Sequence, residues 1–123
     1  MSEMRFSEEH QWIKVDDQGQ AYVGITRFAA DELGDITFIE LPEAGKELAQ
    51  NDQLCVVESV KAASDVYMPV AGKVAEVNAT LDKNPSLLNE SPEDQAWICR
   101  LESYDQAQFA KLMTADEYKA FCQ

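Results

Sequence analysis

Residues 56–68 read VVESVKAASDVYM, and this stretch decides the fold. A β-branched run leads up to Lys61, small residues follow, and a second apolar run begins at Val66. Two such runs around a short polar centre predict a β-hairpin with the lysine at its tip. A lysine amine is protonated at neutral pH unless a special pocket activates it. A lysine displayed in this way therefore suits modification by another enzyme, whereas the alternative is an ordinary solvated turn lysine.

Three neighbouring features favour a modification site over an ordinary turn. Gly45 and Gly72 mark turns that close the flanking strands, and glycine serves turns that need a positive φ. Glu58 places a carboxylate close to the tip in an otherwise apolar strand. Val60 and Ala62 flank the lysine with small, uncharged side chains, so a modifying enzyme meets little bulk there.

The rest of the chain alternates short strands with turn signals. Strand character is expected over residues 10–15, 21–25, 36–41, 54–60, 66–70, 73–77 and 96–101. Thr26 can cap a helix that Gly34 stops, and Thr114 with Glu117 forms a capping box for a helix in the tail, which has helical spacing from about Asp105. Residues 78–95 are polar and predict a loop with one short helix. This pattern is typical of a small β-barrel or sandwich.

Length and charge exclude several function classes. A chain of 123 residues predicts one domain over residues 1–123. Its formal net charge is −13, with 10 Lys and Arg against 23 Asp and Glu. Nucleic-acid binding and attachment to anionic membranes are disfavoured, because phosphate contacts need clustered cations. The acidic surface suits docking onto basic patches of protein partners, and simple solubility is the alternative.

The cysteines and the histidine do not form a metal-site pattern. Cys55, Cys99 and Cys122 lie far apart without a CxxC pair, and His10 is the single histidine. We therefore expect no metal site, and we expect reduced, structural thiols. The N-terminal residues lack the apolar core of a signal peptide and the Arg- and Ser-rich pattern of a transit peptide, so we expect a cytoplasmic protein.

Residues 58–65, ESVKAASD, resemble the lipoyl-attachment sequence of the glycine cleavage system H protein family. The likeness runs along nearly the whole chain and is collinear. Further matching segments are residues 9–12 (EHQW), 24–26 (GIT), 33–36 (LGDI), 38–42 (FIELP), 76–78 (EVN), 85–89 (PSLLN), Trp97 and 115–121 (ADEYKAF).

The resemblance implies a covalent cofactor and a fold. Lys61 would carry lipoic acid in amide linkage, on a mainly β, lipoyl/biotinyl-domain-like flattened β-barrel sandwich with short helices on its N-terminal side and at its C-terminus. Biotin carriers share that architecture, but their lysine usually lies between two methionines, where this chain has Val60 and Ala62. The residues expected to be recognised by lipoylating enzymes are Glu58, Ser59, Val60, Ala62, Ala63 and Asp65, and simple turn support is the alternative role for Glu58.

The family also implies a carrier that catalyses no reaction itself. Its partners would be glycine decarboxylase (a pyridoxal-phosphate enzyme), the aminomethyltransferase and dihydrolipoyl dehydrogenase, in addition to the lipoylating enzymes. The lipoyl group would take the aminomethyl group of glycine from the first enzyme to the second, and the third would reoxidise it. We expect a monomer that binds no nucleic acid and no membrane. One alternative is an H-like relay that donates lipoate to 2-oxoacid dehydrogenases, and another is an unmodified binding module.

The resemblance further implies a cradle for the lipoyl arm, with His10, Phe28 and Asp65 as candidate residues. A purely structural role is the alternative for His10 beside Trp12. The chain departs from the family pattern twice. Arg27-Phe28 stands where the family usually has a polar pair that often ends in histidine, and residues 93–96 (EDQA) replace a Tyr-Gly-x-Gly pattern.

Overall fold

A computed structural model describes residues 3–122 of the chain. Nine strands and five short helices follow one another within this range. The strands are β1 (Glu3–Phe6), β2 (Gln11–Val15), β3 (Ala21–Ile25), β4 (Ile36–Glu40), β5 (Glu47–Leu48), β6 (Gln53–Ser59), β7 (Ala63–Tyr67), β8 (Gly72–Val77) and β9 (Cys99–Tyr104). The helices are α1 (Arg27–Leu33), α2 (Thr80–Lys83), α3 (Leu87–Glu90), α4 (Gln106–Lys111) and α5 (Ala115–Phe121).

The strands form two antiparallel sheets. The larger sheet has the order β1-β2-β3-β9-β8-β5, and the smaller sheet has the order β4-β6-β7. Apolar residues from both sheets, including Val23 and Val74 from the larger and Ile39 and Val57 from the smaller, belong to one buried core. Two sheets that share a core in this way form the expected mainly β sandwich.

The larger sheet also buries part of its outer face. Trp12 alternates with the core residue Ile13 on β2, and both are buried although they lie on opposite faces. Trp12 packs in a second cluster with Phe6 and with Tyr118 of α5. Its indole nitrogen donates to the carbonyls of Ile25 and Pro92, each at 2.8 Å. The C-terminal helix therefore covers the first strands and brings residues of both chain ends together.

The helix caps agree with the sequence. Thr26 accepts a hydrogen bond from the amide of Ala29 at the start of α1, and Gly34 ends that helix with φ of 76°. Thr114 and Glu117 form the expected capping box at the start of α5.

Several predicted boundaries were wrong. The strand after the lysine occupies Ala63–Tyr67 rather than 66–70, and the last strand begins at Cys99 rather than 96. The polar segment contains two short helices, α2 and α3, instead of one. Strands β1 and β5 were not predicted, since both are short and lie at the edges of the larger sheet.

Candidate functional site

Lys61 lies at the tip of the hairpin formed by β6 and β7. The strands pair through Glu58 and Ala63, and the tip is closed by the Ser59 amide, which donates to the Ala62 carbonyl at 2.8 Å. The Ser59 hydroxyl accepts from the amides of Lys61 and Ala62 at 3.3 and 3.2 Å. One serine thus satisfies two backbone donors that a tight turn would otherwise leave to water.

The tip is tied to the end of α1. The Val60 amide donates to the Asp35 carbonyl at 3.0 Å. A Cβ placed on Gly34 would lie 3.3 Å from Cε of Lys61, so the lysine stem passes over the glycine that ends the helix. The lysine is exposed. The contacts with the end of α1 fix the position of the hairpin tip relative to the sandwich.

Both charged and apolar side chains of the small sheet lie near the lysine. Glu58 is exposed and pairs with Phe38 on one side and Ala63 on the other. Val60 is 69% exposed and Phe38 is 45% exposed, which leaves apolar surface beside the carboxylate. Asp65 accepts a hydrogen bond from the Gln53 side chain at 2.9 Å. The residues predicted around the lysine therefore lie together at one end of this sheet.

A cleft opens between α1, β7 and the turn before β2, and we call it the arm cleft. It has a volume of about 380 Å³. Its lining residues are Glu9, His10, Gln11, Ile25, Ala29, Glu32, Leu33, Ser64, Asp65, Val66 and Tyr67. Leu33 precedes the glycine under the lysine stem, and Ser64 follows the tip, so the cleft begins beside Lys61.

Two of the three candidate cradle residues line this cleft. His10 lies at one side of it and Asp65 at the other. Phe28 is not part of the lining. It packs against the His10 ring instead, with 4.5 Å between the ring centroids and 31° between the ring planes. Phe28 thus contacts a residue of the cleft lining without belonging to that lining.

The two departures from the family pattern contact each other. The Glu93 carboxylate accepts from the backbone amide of Arg27 at 2.7 Å. The Arg27 guanidinium donates to the carbonyls of Asn89 and Glu90, at 2.5 and 3.0 Å. The Asn89 side chain accepts from the Ile36 amide and donates to the Gly34 carbonyl. We call these contacts the α1 clasp, and they fasten both ends of α1 to residues 89–93.

The cysteines are free thiols. Cys55 and Cys99 are buried in the core, and Cys122 is half-buried. Burial raises the pKa of the Cys99 thiol to about 12, and burial also raises that of Cys55. Both core thiols stay protonated at neutral pH and act as small apolar side chains.

The site consists of a lysine on a hairpin tip beside a partly apolar cleft. Comparison with known proteins assigns the chain to a family. A family model described as glycine cleavage H-protein matches residues 4–123. The chain belongs to this H-protein family. Members are lipoyl carriers of glycine cleavage and are not themselves catalytic.

Relatives and a solved structure agree with the H-protein assignment. A glycine cleavage system H protein from Halalkalibacterium halodurans is 51% identical over 118 residues, covering 96% of this chain and 91% of its own. One from Brevibacillus brevis is 51% identical over 117 residues, with 95% and 92% covered. A crystal structure of an H protein from Mycobacterium marinum matches with a TM-score of 0.83 at 29% identity, covering 96% of this chain and 94% of that one. Within residues 3–122, we find no helix that is both long and apolar enough to cross a bilayer.

The sequence predicted Ser59 as a recognition residue but not its hydrogen bonds to the tip amides. Asp35 and Tyr118 were missed, because they contribute to this H-protein site through hydrogen bonds that depend on the fold. Tyr118 lies 108 residues from His10 in sequence, yet its hydroxyl is 2.6 Å from Nδ1 of that histidine. The Thr114–Glu117 capping box was the available signal, since it fixes α5 and hence the tyrosine it carries.

Proposed function

We propose that this chain is the lipoyl carrier of a glycine cleavage system and that lipoic acid is attached to Lys61 by an amide bond. The observation that carries the proposal is the exposed lysine at the end of a hairpin whose tip is held by Ser59 and Asp35. Its partners would be glycine decarboxylase, the aminomethyltransferase and dihydrolipoyl dehydrogenase. We extend the proposal to a single carrier domain over residues 1–123, a monomer in the cytoplasm.

The residues present fit the lipoyl group. When bound, lipoate supplies a cyclic disulfide that can accept the aminomethyl group of glycine and afterwards be reoxidised. The arm cleft offers apolar walls from Ile25, Ala29 and Leu33 that suit a hydrocarbon arm. His10 and Asp65 line the same cleft and offer polar groups to the polar end of the loaded arm.

Recognition by the lipoylating enzyme is assigned to the surface around the tip. Val60 and Ala62 leave the amine sterically open, and the exposed Glu58 offers a carboxylate to a basic partner surface. Ser59 and Ala63 keep the tip closed so that the lysine is presented in one geometry. Asp65 contributes from the neighbouring strand, held by Gln53.

The exchange of bicarbonate into glycine by purified glycine decarboxylase tests the carrier role. The lipoylated chain should stimulate the exchange, and Lys61→Arg should not, because arginine cannot form the amide. Lys73→Arg, on β8, is the matched control and should behave like the wild type. If the lipoylated chain leaves the exchange at background but donates lipoate to the acyltransferase subunits of 2-oxoacid dehydrogenases, it is a relay and the proposal is wrong.

A further inference from the structure

The backbone of His10 is held in an uncommon conformation. Its φ is 69°, in the left-handed region that residues other than glycine seldom adopt. The amide donates to the Ser7 carbonyl, and the His10 carbonyl accepts from the Thr26 amide, each at 3.1 Å. Such a conformation persists only where the surrounding structure holds it, and it is concentrated at functional sites.

The ring of His10 is enclosed by aromatic side chains. Phe28 packs on it at a tilt with 4.5 Å between centroids, Tyr118 meets it edge-on at 5.7 Å, and Phe121 lies at 6.0 Å. Residues of α1 and α5 together thereby restrict the ring plane, and the 2.6 Å contact with Tyr118 orients Nδ1.

The hydrogen bonds around Tyr118 have a definite direction. The Thr26 hydroxyl is fully buried, accepts from the Ala29 amide and lies 2.8 Å from the Tyr118 oxygen. A buried hydroxyl proton needs an acceptor. Among residues 3–122, the acceptor within hydrogen-bond distance is the Tyr118 oxygen. Thr26 therefore donates to Tyr118.

This direction determines the tautomer of His10. With its oxygen accepting from Thr26, Tyr118 has two neighbours that can accept its own proton, Nδ1 of His10 at 2.6 Å and the Cys122 sulfur. Because sulfur is a weak acceptor, we assign the proton to the bond with Nδ1 of His10. Burial raises the pKa of the Tyr118 hydroxyl, which keeps that proton in place. An imidazole that accepts at Nδ1 carries its proton on Nε2 when neutral. Nε2, the ring nitrogen that Tyr118 does not engage, is thus a hydrogen-bond donor on a residue that lines the arm cleft.

Few other side-chain donors are available in the arm cleft. The Gln11 amide group donates to the Glu9 carbonyl at 2.7 Å, and the Tyr67 hydroxyl donates to Asp65 at 3.5 Å. Glu9, Glu32 and Asp65 offer carboxylates, which accept rather than donate. His10, the Ser64 hydroxyl and the second N–H of the Gln11 amide group remain as side-chain donors in the cleft lining.

We propose that Tyr118 is a positioning residue that, with Thr26, holds His10 in the Nε2–H tautomer so that this N–H donates to a sulfur of the reduced lipoyl arm in the cleft. A thiol or thiolate sulfur is an acceptor, and the apolar walls beside it would exclude competing water. The tautomer stands independently of lipoylation. The sulfur contact rests on the proposed function.

Nitrogen NMR of the chain labelled with ¹⁵N-histidine tests the tautomer directly, since the chain has one histidine. At mildly alkaline pH, the unmodified wild type should show a protonated Nε2 and an unprotonated Nδ1. Tyr118→Phe should shift both resonances toward a mixture of tautomers, because the donor to Nδ1 is lost. Tyr22→Phe, which removes a hydroxyl bonded to Gln20, should leave them unchanged. A wild-type spectrum with the proton on Nδ1 overturns the proposal without reliance on any variant.

The sulfur contact is tested on the lipoylated chain by reduction with a phosphine. The Nε2 resonance should move when the arm is reduced, and Lys61→Arg treated identically should show no change. Ring nitrogens that are the same in unmodified, oxidised and reduced protein would overturn the contact while leaving the carrier role intact. Failure of the proposed function would be visible separately, as an unmodified lysine by mass or as a lipoylated chain that does not stimulate the bicarbonate exchange.

Discussion

At the scale of single residues, the Ser59 side chain holds the hairpin tip in one conformation. Its hydroxyl accepts from two tip amides and lies 3.1 Å from the Ala62 carbonyl, to which it donates. These bonds are exposed to water, so their net contribution to stability is small. Their larger effect is on geometry, because they restrict the directions in which the lysine amine can leave the surface.

Ser59→Ala should therefore slow lipoylation several-fold while lowering the free energy of unfolding by less than about 1 kcal/mol. Urea unfolding and the initial rate of lipoylation measure the two effects. Ser86→Ala removes an exposed serine hydroxyl bonded to Asn84, away from the tip, and serves as the control. An unchanged lipoylation rate in Ser59→Ala would show that the tip bonds do not matter for recognition.

The attachment residue, Lys61, was the most predictable part of the site. The lysine could be found because its flanking strands and small neighbours are contiguous in sequence. The setting of His10 could not, since its partners come from α1 and α5, and the Tyr118 contact spans 108 residues. Phe28 was expected in the cradle itself, but the structure places it against the histidine, outside the lining of the arm cleft.

At the scale of elements, α1 is held in place by the α1 clasp. The helix has seven residues and contributes Ala29 and Leu33 to the wall of the arm cleft. A helix this short has little stability of its own. The Glu93 carboxylate at its first amide and the Arg27 side chain on residues 89 and 90 supply the anchoring from outside.

Glu93→Gln should destabilise the fold by about 0.5–1 kcal/mol, because the charge near the helix N-terminus is lost. Asp94→Asn removes the same charge from the adjacent residue and is the matched control. Thermal or urea unfolding of both variants at low salt measures the difference. Equal effects in the two variants would mean that net charge, and not the clasp, is responsible.

The capping box should make the stability of α5 dependent on pH. Hydrogen bonds from Thr114 lower the pKa of the Glu117 carboxyl below its ordinary value. The stabilisation is present above the ordinary glutamate pKa and is lost as the pH falls through the lower value of the folded state. The protection of the α5 amides against hydrogen exchange, corrected for the intrinsic rate at each pH, should therefore fall over that acidic range. Glu117→Gln should show a smaller fall, and an identical profile in both proteins would refute the assignment.

Strand prediction succeeded where the apolar pattern was strong and failed at the edges. The core strands β3, β4 and β6 were found by their β-branched runs. Strand β1 was missed because it has four residues and lies at the edge of the larger sheet, where it pairs with β2. Strand β5 has two residues and pairs with β8 at the edge of the larger sheet, so no local periodicity could reveal it.

At the scale of the whole molecule, we expect the net charge to influence encounters with protein partners. A formal net charge of −13 on 123 residues creates a field that attracts basic surfaces. A carrier that visits several enzymes needs quick binding and quick release, and charge steering speeds association without tight contacts.

Association with glycine decarboxylase should therefore slow as ionic strength rises, while dissociation changes little. Stopped-flow measurements of both rate constants over a salt series check this. A salt-independent association rate would contradict steering by the acidic surface.

The central claim is the attachment of lipoate to Lys61, and intact-mass measurement tests it most directly. Wild type and Lys73→Arg, purified from lipoate-replete cells with a lipoylating enzyme, should each gain the mass of one lipoyl group. Their formal net charge should change from −13 to −14, because the amide removes one positive charge. Lys61→Arg should keep the mass of the bare chain. A bare-chain mass for the wild type, or a lipoyl group on Lys61→Arg, would contradict the account.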